Sequence, residues 1–242
     1  MRLSVIIPTY NEEQRLPQTL EEINKYLLNQ TYDSEIIVAD GGSKDRTIEI
    51  VKETALEIRN LKLLEVREGH GKGQVVREGM LKSQGDFRVF TDADDSTSMD
   101  HIEKMWPLFE QGFDIVIGSR DSKDAPDALQ AVRQPFWKRF LGDVGNILIQ
   151  LLAVWGIWDT QCGFKCFTKK AAQDIFSRAR ISGWAFDVEA LSLAKKLGDK
   201  IGIVPVYWVN DPNSKVNLRG YLNFLKELMV IKWNFIRKKY NL

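Results

Sequence analysis

The sequence predicts an α/β protein built on a mostly parallel sheet flanked by helices. Short apolar runs typical of strands alternate with amphipathic helical patterns through the first half of the 242-residue chain. Each of these runs is followed by polar, charged or glycine residues. Strands that alternate with helices form βαβ units, and such sheets bind ligands outside the carboxyl ends of their strands. We therefore expect one rim of the sheet to carry the functional site.

The first half divides into five predicted strands with helices between them. The strands are Leu3–Pro8, Glu35–Ala39, Leu61–Val66, Phe87–Thr91 and Phe113–Gly118. Apolar residues at helical spacing predict helices over Leu16–Leu28, over Lys44–Ile58 with Ser43 as its N-cap, up to Ser83, and over Met99–Phe109. The order strand, helix, strand indicates parallel pairing with right-handed crossovers.

The second half loses this regular alternation. Helical patterns appear over Gln130–Leu141, Val144–Val154 and Lys170–Phe176, and another helix opens near Trp184. Ile201–Val209 is a predicted strand, and Gly220–Tyr240 is a predicted final helix. Aromatic residues are more often core than ligand contacts, so we assign no site to Trp155, Trp158, Trp233 and Phe235.

Composition limits the classes of function. A hydrophobic content of 44% and a charged content of 28% are ordinary for a globular protein, and a net charge of +1 indicates no nucleic-acid partner. Cys162 and Cys166 fit neither a disulfide framework nor a structural zinc site, so we expect free thiols in a reducing compartment. The longest uncharged stretch, residues 144–158, falls short of the about 20 residues of a spanning helix. It predicts either a buried helix or an interfacial one.

An acidic cluster ends the fourth predicted strand, at Asp92, Asp94 and Asp95. Strand periodicity places Asp92 and Asp94 on the same side of the chain, where they repel each other unless a cation lies between them. Carboxylate oxygens suit Mg²⁺ or Mn²⁺. The alternative is an acidic, solvated turn, since Asp is common in turns.

A glycine-rich segment, residues 69–73, precedes the third predicted helix. It lacks the spacing of a P-loop, and no Ser or Thr follows Lys72. We expect Gly71 and Gly73 to let the backbone approach a ligand while Lys72 meets a phosphate. A flexible turn before a helix is the alternative.

Several motifs together resemble a known family. Val5–Glu12, Asp40–Thr47, Gly71–Gly73 and Asp92–Asp94 occur in this order and resemble family 2 glycosyltransferases with the GT-A fold. Gly118–Arg120, Asp159–Phe167 and Trp184–Glu189 are similar to segments of the dolichyl-phosphate β-glucosyltransferases. Asp95–Thr97 and Asp159–Cys162 depart from the pattern of the mannose synthases.

The resemblance implies a Rossmann-like GT-A sheet with C-terminal amphipathic helices. Residues 1–120 are then the nucleotide-sugar-binding half, and residues 121–242 are the acceptor-binding half with a basic C-terminal helix, within the same globular domain. The implied reaction is an inverting transfer of a hexose to dolichyl or polyprenyl phosphate, as in protein N-glycosylation. UDP-glucose is the favoured donor, with UDP-N-acetylglucosamine and GDP-mannose as alternatives.

A phosphate monoester has a second pKa of about 6, so the acceptor is already nucleophilic near neutral pH. The protein must then neutralise the leaving diphosphate and capture the acceptor phosphate. We expect Asp94, with Asp92, to hold Mg²⁺ or Mn²⁺, and Arg120, Arg133 and Lys215 to bind the acceptor phosphate.

The remaining assignments follow from the same resemblance. Asp187 is expected to contact the sugar, although Asp187 and Glu189 equally suit the N-terminus of a helix. The full set with a catalytic role is Asp94, Arg120, Arg133, Asp187 and Lys215. The set expected to bind the nucleotide sugar is Pro8, Tyr10, Glu12, Asp40, Lys72 and Asp92.

The segment from Lys215 to Leu242 carries seven Lys or Arg residues against one acidic residue, Glu227. Such a basic amphipathic helix lies on an anionic membrane or packs on the core with a solvated basic face. The eukaryotic glucosyl enzymes carry an N-terminal membrane anchor that this sequence does not show. We expect peripheral attachment to the cytoplasmic face of a membrane through the C-terminal helix, residues 144–158 or a partner.

Two other function classes fit parts of the pattern. A sugar nucleotidyltransferase shares the sheet architecture, but it would place a glycine-rich loop after the first strand, where this chain has Pro8–Glu12. A non-catalytic, nucleotide-sensing membrane module has no need of the intact acidic cluster.

Overall fold

The computed structural model describes residues 2–66, 71–130, 145–209 and 218–242. The strands are β1 (Arg2–Thr9), β2 (Asp33–Asp40), β3 (Leu61–Glu65), β4 (Phe87–Thr91), β5 (Ile115–Ser119), β6 (Leu129–Gln130), β7 (Phe164–Thr168), β8 (Ile201–Pro205) and β9 (Tyr207–Trp208). The five strands predicted in the first half are therefore present, with boundaries that differ by a few residues.

Helices connect these strands. They are α1 (Leu16–Leu28), α2 (Thr47–Thr54), α3 (Lys72–Lys82), a 3₁₀ helix (Met99–Lys104), α4 (Trp106–Glu110), α5 (145–152), α6 (Lys169–Arg178), α7 (Phe186–Leu197) and α8 (Leu218–Ile236). The single helix predicted over Met99–Phe109 is wrong. Pro107 stands in the first turn of α4, where its missing N–H is tolerated, and the preceding turn is 3₁₀.

The start of α2 also differs from the prediction. The helix begins at Thr47, and Ser43 is not its N-cap. The Ser43 hydroxyl donates to Asp40 at 2.5 Å, while Asp45 accepts from the backbone N–H of Thr47 at 3.0 Å. Ser43 therefore belongs to the turn after β2, because the carboxylate of Asp40 competes for its hydroxyl.

Seven strands form the central sheet, in the order β3-β2-β1-β4-β7-β5-β8. The pairs β1–β2, β2–β3, β1–β4 and β5–β8 are parallel, and β7 is antiparallel to both β4 and β5. The sequence pattern did not predict β7. Four of its five residues are buried, Lys165 among them, so the strand shows no apolar–polar alternation.

The insertion of β7 brings the second half of the chain into the middle of the sheet. The β4–β7 register pairs Phe90 with Lys165 and Thr91 with Phe164. The residues before β7 are thereby placed beside the carboxyl end of β4, where the acidic cluster begins. A small sheet of β6 and β9 lies apart from the main one.

Two apolar layers cover the two faces of the sheet. Ile6 and Phe90 contribute to one layer with α3 and α5–α8, whereas Val5 and Ile7 contribute to the other with α1 and the 3₁₀ helix. Neighbouring residues of β1 separate in this way because successive side chains of a strand point to opposite faces. Residues of the second half occupy both layers.

The large aromatic side chains divide between core and surface. Trp155 is 74% exposed and Trp233 is 51% exposed, so the core placement expected for them is wrong. Phe235 packs against the core and contacts Tyr240. None of the helices described by the structure is both long and apolar enough to cross a membrane.

Candidate active site

The turn after β2 is built around Asp40, whose side chain is buried. Its Oδ1 accepts hydrogen bonds from the backbone N–H groups of Gly42 at 2.9 Å and Ser43 at 2.8 Å. Its Oδ2 accepts from the hydroxyl of Thr9 at 2.9 Å as well as from Ser43. Gly42 has a φ of +86°, a conformation that favours glycine. Asp40 thus joins the carboxyl ends of β1 and β2.

The segment after β1 interlocks with this turn. Asn11 donates its backbone N–H to the Ser43 hydroxyl at 2.8 Å and accepts from the backbone N–H of Lys44 at 2.8 Å. The Glu12 backbone N–H donates to the Thr47 hydroxyl at 2.8 Å. The two segments form one rigid wall at the rim of the sheet.

Four of the residues expected to bind the nucleotide sugar lie along this wall in different environments: Pro8, Tyr10, Glu12 and Asp40. Tyr10 is 52% exposed, while Pro8 is buried in β1 and paired with Ala39. Glu12 forms an ion pair with Arg15, whose Nε donates a hydrogen bond to Glu12 Oε2 at 2.7 Å. The exposed aromatic ring of Tyr10 is the member of this group best placed to meet a planar ligand from solvent.

The acidic cluster lies directly beyond β4. The Lys72 ammonium, at the first position of α3, donates to Asp92 Oδ1 at 2.5 Å. The other face of the Asp92 carboxylate packs against Gly163, where any side chain would overlap it. Burial lowers the pKa of Lys72, but the carboxylates of Asp92 and Asp187 outweigh burial and raise it. Asp92 is therefore held between α3 and the segment that enters β7.

The pKa values of Asp94 and Asp95 are both raised, because burial and neighbouring negative charges outweigh the groups that would lower them. Burial raises the pKa of Asp94, and the neighbouring charge of Asp92 raises it further. Asp94 Oδ1 accepts from the backbone N–H of Ser96 at 3.1 Å. Burial, together with the charges of Glu22, Asp94 and Asp100, raises the pKa of Asp95 to about 6.

The chemistry of this donor set fits a divalent cation only in part. Asp92 and Asp94 are close enough for the charge of one to raise the pKa of the other, and a cation between them would relieve that repulsion. Across the described ranges, three or more His, Cys, Asp or Glu side chains nowhere converge on one point. Mg²⁺ commonly binds through one or two carboxylates and completes its coordination with substrate phosphates and water.

A buried ion pair interacts electrostatically with the acidic cluster. Lys165 is fully buried in β7, and its Nζ donates to Asp187 Oδ1 at 2.7 Å and to the carbonyl oxygen of Cys162 at 2.5 Å. Burial raises the pKa of Asp187, and Lys165 and Lys72 only partly offset that effect. Asp187 thus faces the Lys72–Asp92 pair from within the protein.

Sequence reasoning missed Lys165 as a site residue. A lysine among Phe164, Cys166 and Phe167 is the one signal that pointed to it, because a buried lysine requires a carboxylate partner. Its partner lies 22 positions away, so the pattern alone did not identify it.

Arg120, expected to bind the acceptor phosphate, is held by Asp159. Its Nε and one terminal nitrogen each donate to Asp159 at 2.8 Å, and its backbone N–H donates to the same carboxylate at 2.8 Å. The guanidinium also lies over the ring of Trp208, 5.1 Å from the centroid. Burial favours protonation of Asp159, but Arg120 outweighs burial and lowers the pKa of that carboxyl. This geometry fixes the orientation of the Arg120 side chain.

Glu189, which lies with Asp187 in the first turn of α7, binds the backbone of the preceding segment. Its buried carboxylate accepts from the backbone N–H groups of Arg180 at 3.0 Å and Ile181 at 2.9 Å, and from the Tyr240 hydroxyl at 2.7 Å. Glu189 therefore anchors the segment before α7 to the C-terminal end of the chain.

The glycines at the start of α3 approach protein backbone. A Cβ at Gly71 would lie 2.7 Å from the carbonyl oxygen of Ser182, and one at Gly73 would lie 2.6 Å from that of Ile181. Gly71 and Gly73 therefore allow close packing against residues 181–183, and the approach of a ligand to this backbone stays a prediction.

Comparison with known proteins identifies the family. The model of Glycosyl transferase family 2 matches residues 4–176. The chain belongs to this family. Membership confirms the resemblance drawn from the motifs and shows that the protein is a glycosyltransferase.

Curated members resemble the chain over most of its length. The dolichyl-phosphate β-glucosyltransferase of Trichomonas vaginalis is 36% identical, across 95% of this chain and 72% of that protein. The dolichyl-phosphate β-glucosyltransferase of Dictyostelium discoideum is 35% identical, across 97% and 75%. That of Homo sapiens is 32% identical, across 97% and 76%.

Solved structures confirm the predicted GT-A-like fold. Mannosyl-3-phosphoglycerate synthase from Rubrobacter xylanophilus has a TM-score of 0.72 at 16% identity, covering 100% of this chain and 76% of that one. Glucosyl-3-phosphoglycerate synthase from Mycobacterium tuberculosis, in complex with Mn²⁺, UDP and phosphoglyceric acid, has a TM-score of 0.67 at 17% identity, covering 99% and 78%. At these identities the likeness concerns the fold alone.

The structure brings most of the expected site residues of this glycosyltransferase to one rim. Lys72, Asp92 and Asp187 interact electrostatically, and Asp94 adjoins them. Arg133 and Lys215 lie outside the described residues, so their expected roles stay predictions.

Proposed function

We propose that this glycosyltransferase moves glucose from UDP-glucose to dolichyl or polyprenyl phosphate with inversion at the anomeric carbon. One observation carries the proposal: a rim of clustered charges, with Lys72, Asp92, Asp94 and Asp187 at its centre, in a chain that is 30–37% identical to dolichyl-phosphate β-glucosyltransferases. Transfer between two phosphate-bearing substrates requires positive charge near the leaving diphosphate, which Lys72 and a cation held by Asp92 and Asp94 would supply at this rim.

On the donor side, the wall formed by residues 8–12 and 40–47 holds the nucleoside, with Tyr10 exposed toward it. Asp94, supported by Asp92, would hold Mg²⁺ or Mn²⁺. When bound, the cation neutralises charge on the leaving diphosphate. Lys72 donates to the same diphosphate from the first turn of α3, where the helix dipole also favours an anion.

On the acceptor side, no strong general base is required. The lipid phosphate has a second pKa of about 6 and is mostly dianionic near neutral pH. Arg120 binds it in an orientation fixed by Asp159, and Arg133 and Lys215 add positive charge. Asp187, buried beside Lys165, binds hydroxyls of the sugar and so orients the anomeric carbon toward the attacking phosphate.

The lipid acceptor calls for a membrane-facing surface, and the outer face of α8 suits one. Its apolar residues recur at helical spacing, and each is more than half exposed: Leu222, Met229, Trp233 and Ile236. Exposed Lys226, Lys232 and Arg237 lie within or beside this stripe. An exposed apolar stripe edged by cations is typical of helices that lie on anionic membranes.

A second exposed apolar group lies on and after α5. Ile147, Leu151 and Trp155 are 52%, 65% and 74% exposed. We assign both groups to a membrane surface on the cytoplasmic side, where the buried free thiols Cys162 and Cys166 remain reduced.

The activity is tested by one assay across donors. Purified protein, dolichyl phosphate and Mg²⁺ or Mn²⁺ are incubated with labelled UDP-glucose, UDP-N-acetylglucosamine or GDP-mannose, and label is counted in the organic phase. We expect transfer from UDP-glucose and loss of transfer on chelation of the metal. Transfer from another donor would reassign the sugar, and transfer from none would contradict the lipid acceptor.

The metal assignment has a test that does not depend on turnover. Binding of Mn²⁺ in the presence of UDP is measured by electron paramagnetic resonance for the wild type and Asp94→Asn. We expect binding to weaken at least about tenfold, as loss of a charged ligand should cause. Asp100→Asn, whose side chain is 70% exposed, is the control. Unchanged binding in Asp94→Asn would remove Asp94 from the site.

Membrane attachment is tested by flotation with vesicles of phosphatidylcholine, with and without phosphatidylserine. We expect binding to the anionic vesicles, and loss of that binding in the double variant Trp233→Ala, Ile236→Ala. Leu56→Ala, at an 86% exposed position outside both groups, is the control. Undiminished flotation of the double variant would remove α8 from the membrane surface.

A further inference from the structure

Residues 180–185, here called the pre-α7 loop, lie between the active site and the C-terminal helix. On one side the loop contacts the start of α3. The Gln74 backbone N–H donates to the carbonyl oxygen of Ser182 at 3.3 Å, and a Cβ at Gly73 would lie 2.8 Å from the carbonyl oxygen of Gly183. The loop and the first turn of α3, which carries Lys72, are therefore in backbone contact.

On its other side the loop contacts α8 through Glu227. The Glu227 Oε2 accepts from the backbone N–H of Ala185, the N-cap residue of α7, at 2.9 Å. The Glu227 carboxylate also packs so closely on Gly183 that any Cβ there would overlap it. Trp184 packs on Gly220 at the beginning of α8, where a Cβ would lie 2.9 Å from the ring. Glu227 is the acidic side chain that links α8 to this loop.

These contacts reach the reacting groups in two steps. Glu227 accepts a hydrogen bond from Ala185, the N-cap residue of α7. Asp187 lies in the first turn of that helix and is hydrogen-bonded to Lys165. The same loop fixes the start of α3, from which Lys72 donates to Asp92. A carboxylate at a helix N-terminus is also favoured by the helix dipole.

We propose that Glu227 is a positioning residue: from α8, it holds the pre-α7 loop so that Asp187 and Lys72 keep their places at the two sides of the active site. This proposal rests on the proposed function, because the rate that Glu227 affects is the rate of sugar transfer. Glu227 itself touches no reacting atom. Its effect passes through the backbone of Gly183 and Ala185.

The loop contact makes specific demands on substitutions. Gln at position 227 keeps an oxygen that accepts from Ala185, whereas Ala does not. Gly183→Ala places a methyl group where the carboxylate lies, and the φ of Gly183 lies outside the left-handed region, so backbone strain does not enter. If Glu227 is removed first, that methyl group meets no carboxylate.

The test combines kinetics with hydrogen exchange in the full-length protein. We expect Glu227→Ala to lower kcat for transfer by about tenfold or more, with a smaller change in KM for the donor, because misplacement of reacting groups acts mainly on kcat. Glu227→Gln is expected to retain most of the activity. Gly183→Ala is expected to lower kcat about as much as Glu227→Ala does. The double variant Gly183→Ala, Glu227→Ala is expected to have a kcat no lower than that of Gly183→Ala alone. Glu21→Ala, at an exposed position of α1, is the control.

Hydrogen exchange supplies a readout that needs no turnover. Glu227→Ala should increase amide exchange at residues 181–188 and 72–76, and Glu227→Gln should not. Unchanged exchange at both segments in Glu227→Ala overturns the proposal, as does equal loss of kcat in the Gln and Ala variants. If the wild type transfers no sugar to a lipid phosphate, the proposed function fails, while the exchange data still decide the role of Glu227.

Discussion

The polar residues of the two halves of the sheet are stabilised in different ways. In the loops after β1 and β2, Asp40 and Asp45 accept hydrogen bonds from nearby backbone N–H and hydroxyl groups. Around β7 and α7, by contrast, Asp187 pairs with Lys165, and Asp159 pairs with Arg120 from 39 positions away. Loss of one partner therefore removes hydrogen bonds in the first region but leaves a buried charge in the second. The consequences for stability should differ accordingly.

The largest effect is expected from Asp187→Leu, which leaves the fully buried Lys165 ammonium without its carboxylate. The free energy of unfolding should fall by about 3–5 kcal/mol, as when one partner of a buried ion pair is removed. Urea denaturation measures it. The double variant Lys165→Met, Asp187→Leu should recover much of the loss, because no charge remains buried. A double variant as unstable as the single one would show that packing, not charge, governs this pair.

Gly73→Ala should have the next largest effect. Its Cβ would lie within 3 Å of two backbone carbonyl oxygens and of the Cβ of Phe186, so the pre-α7 loop and α3 must separate. We expect a loss of about 1–3 kcal/mol in thermal unfolding, the usual effect of overpacking. Gly145→Ala, where a Cβ meets nothing within 4 Å, is the matched control. Equal effects of the two substitutions would contradict the close contact.

Asp40→Asn tests the first region. The substitution keeps the shape of the side chain but removes the charge that strengthens hydrogen bonds from Thr9, Gly42 and Ser43. A loss of about 1–2 kcal/mol is expected in urea denaturation. Asp33→Asn, at an exposed position of β2, should change little. If Asp40→Asn lowered the free energy of unfolding as much as Asp187→Leu does, the proposed difference between the two regions would be contradicted.

The smallest expected effect is a pH dependence at Glu35. Burial opposes its ionisation, but hydrogen bonds from Lys62, Ser4 and the Gln84 backbone outweigh burial and lower the pKa. A lowered pKa in the folded state contributes stability above the unfolded value of about 4.5, and this stability is lost as the pH falls through the folded pKa. Glu35→Gln should therefore lower stability by about 1 kcal/mol near neutral pH and flatten its fall in acid. If the free energy of unfolding of Glu35→Gln changed with pH in parallel with that of the wild type, this prediction would be contradicted.

The sequence by itself determined the α/β class, the strands of the first half and the family. Apolar runs that end in polar residues, together with the motifs from Val5 to Glu189, are local patterns that a chain displays before it folds. The rule that parallel strands place their carboxyl ends together put Asp92 and Asp94 at one rim with the glycine-rich segment of Lys72, whereas Asp187 was expected there from the family resemblance.

Only the tertiary structure decided how the second half completes that rim. Nothing in the local pattern marked Phe164–Thr168 as an antiparallel strand between β4 and β5, since a strand buried on both faces shows no period-two alternation. Nor did it indicate that Glu189 and Glu227 bind loop backbone, while Trp155 and Trp233 face outward. The partner of a buried charge, and the burial of an aromatic ring, depend on residues far away in the chain, so they exist only once the sheet has formed.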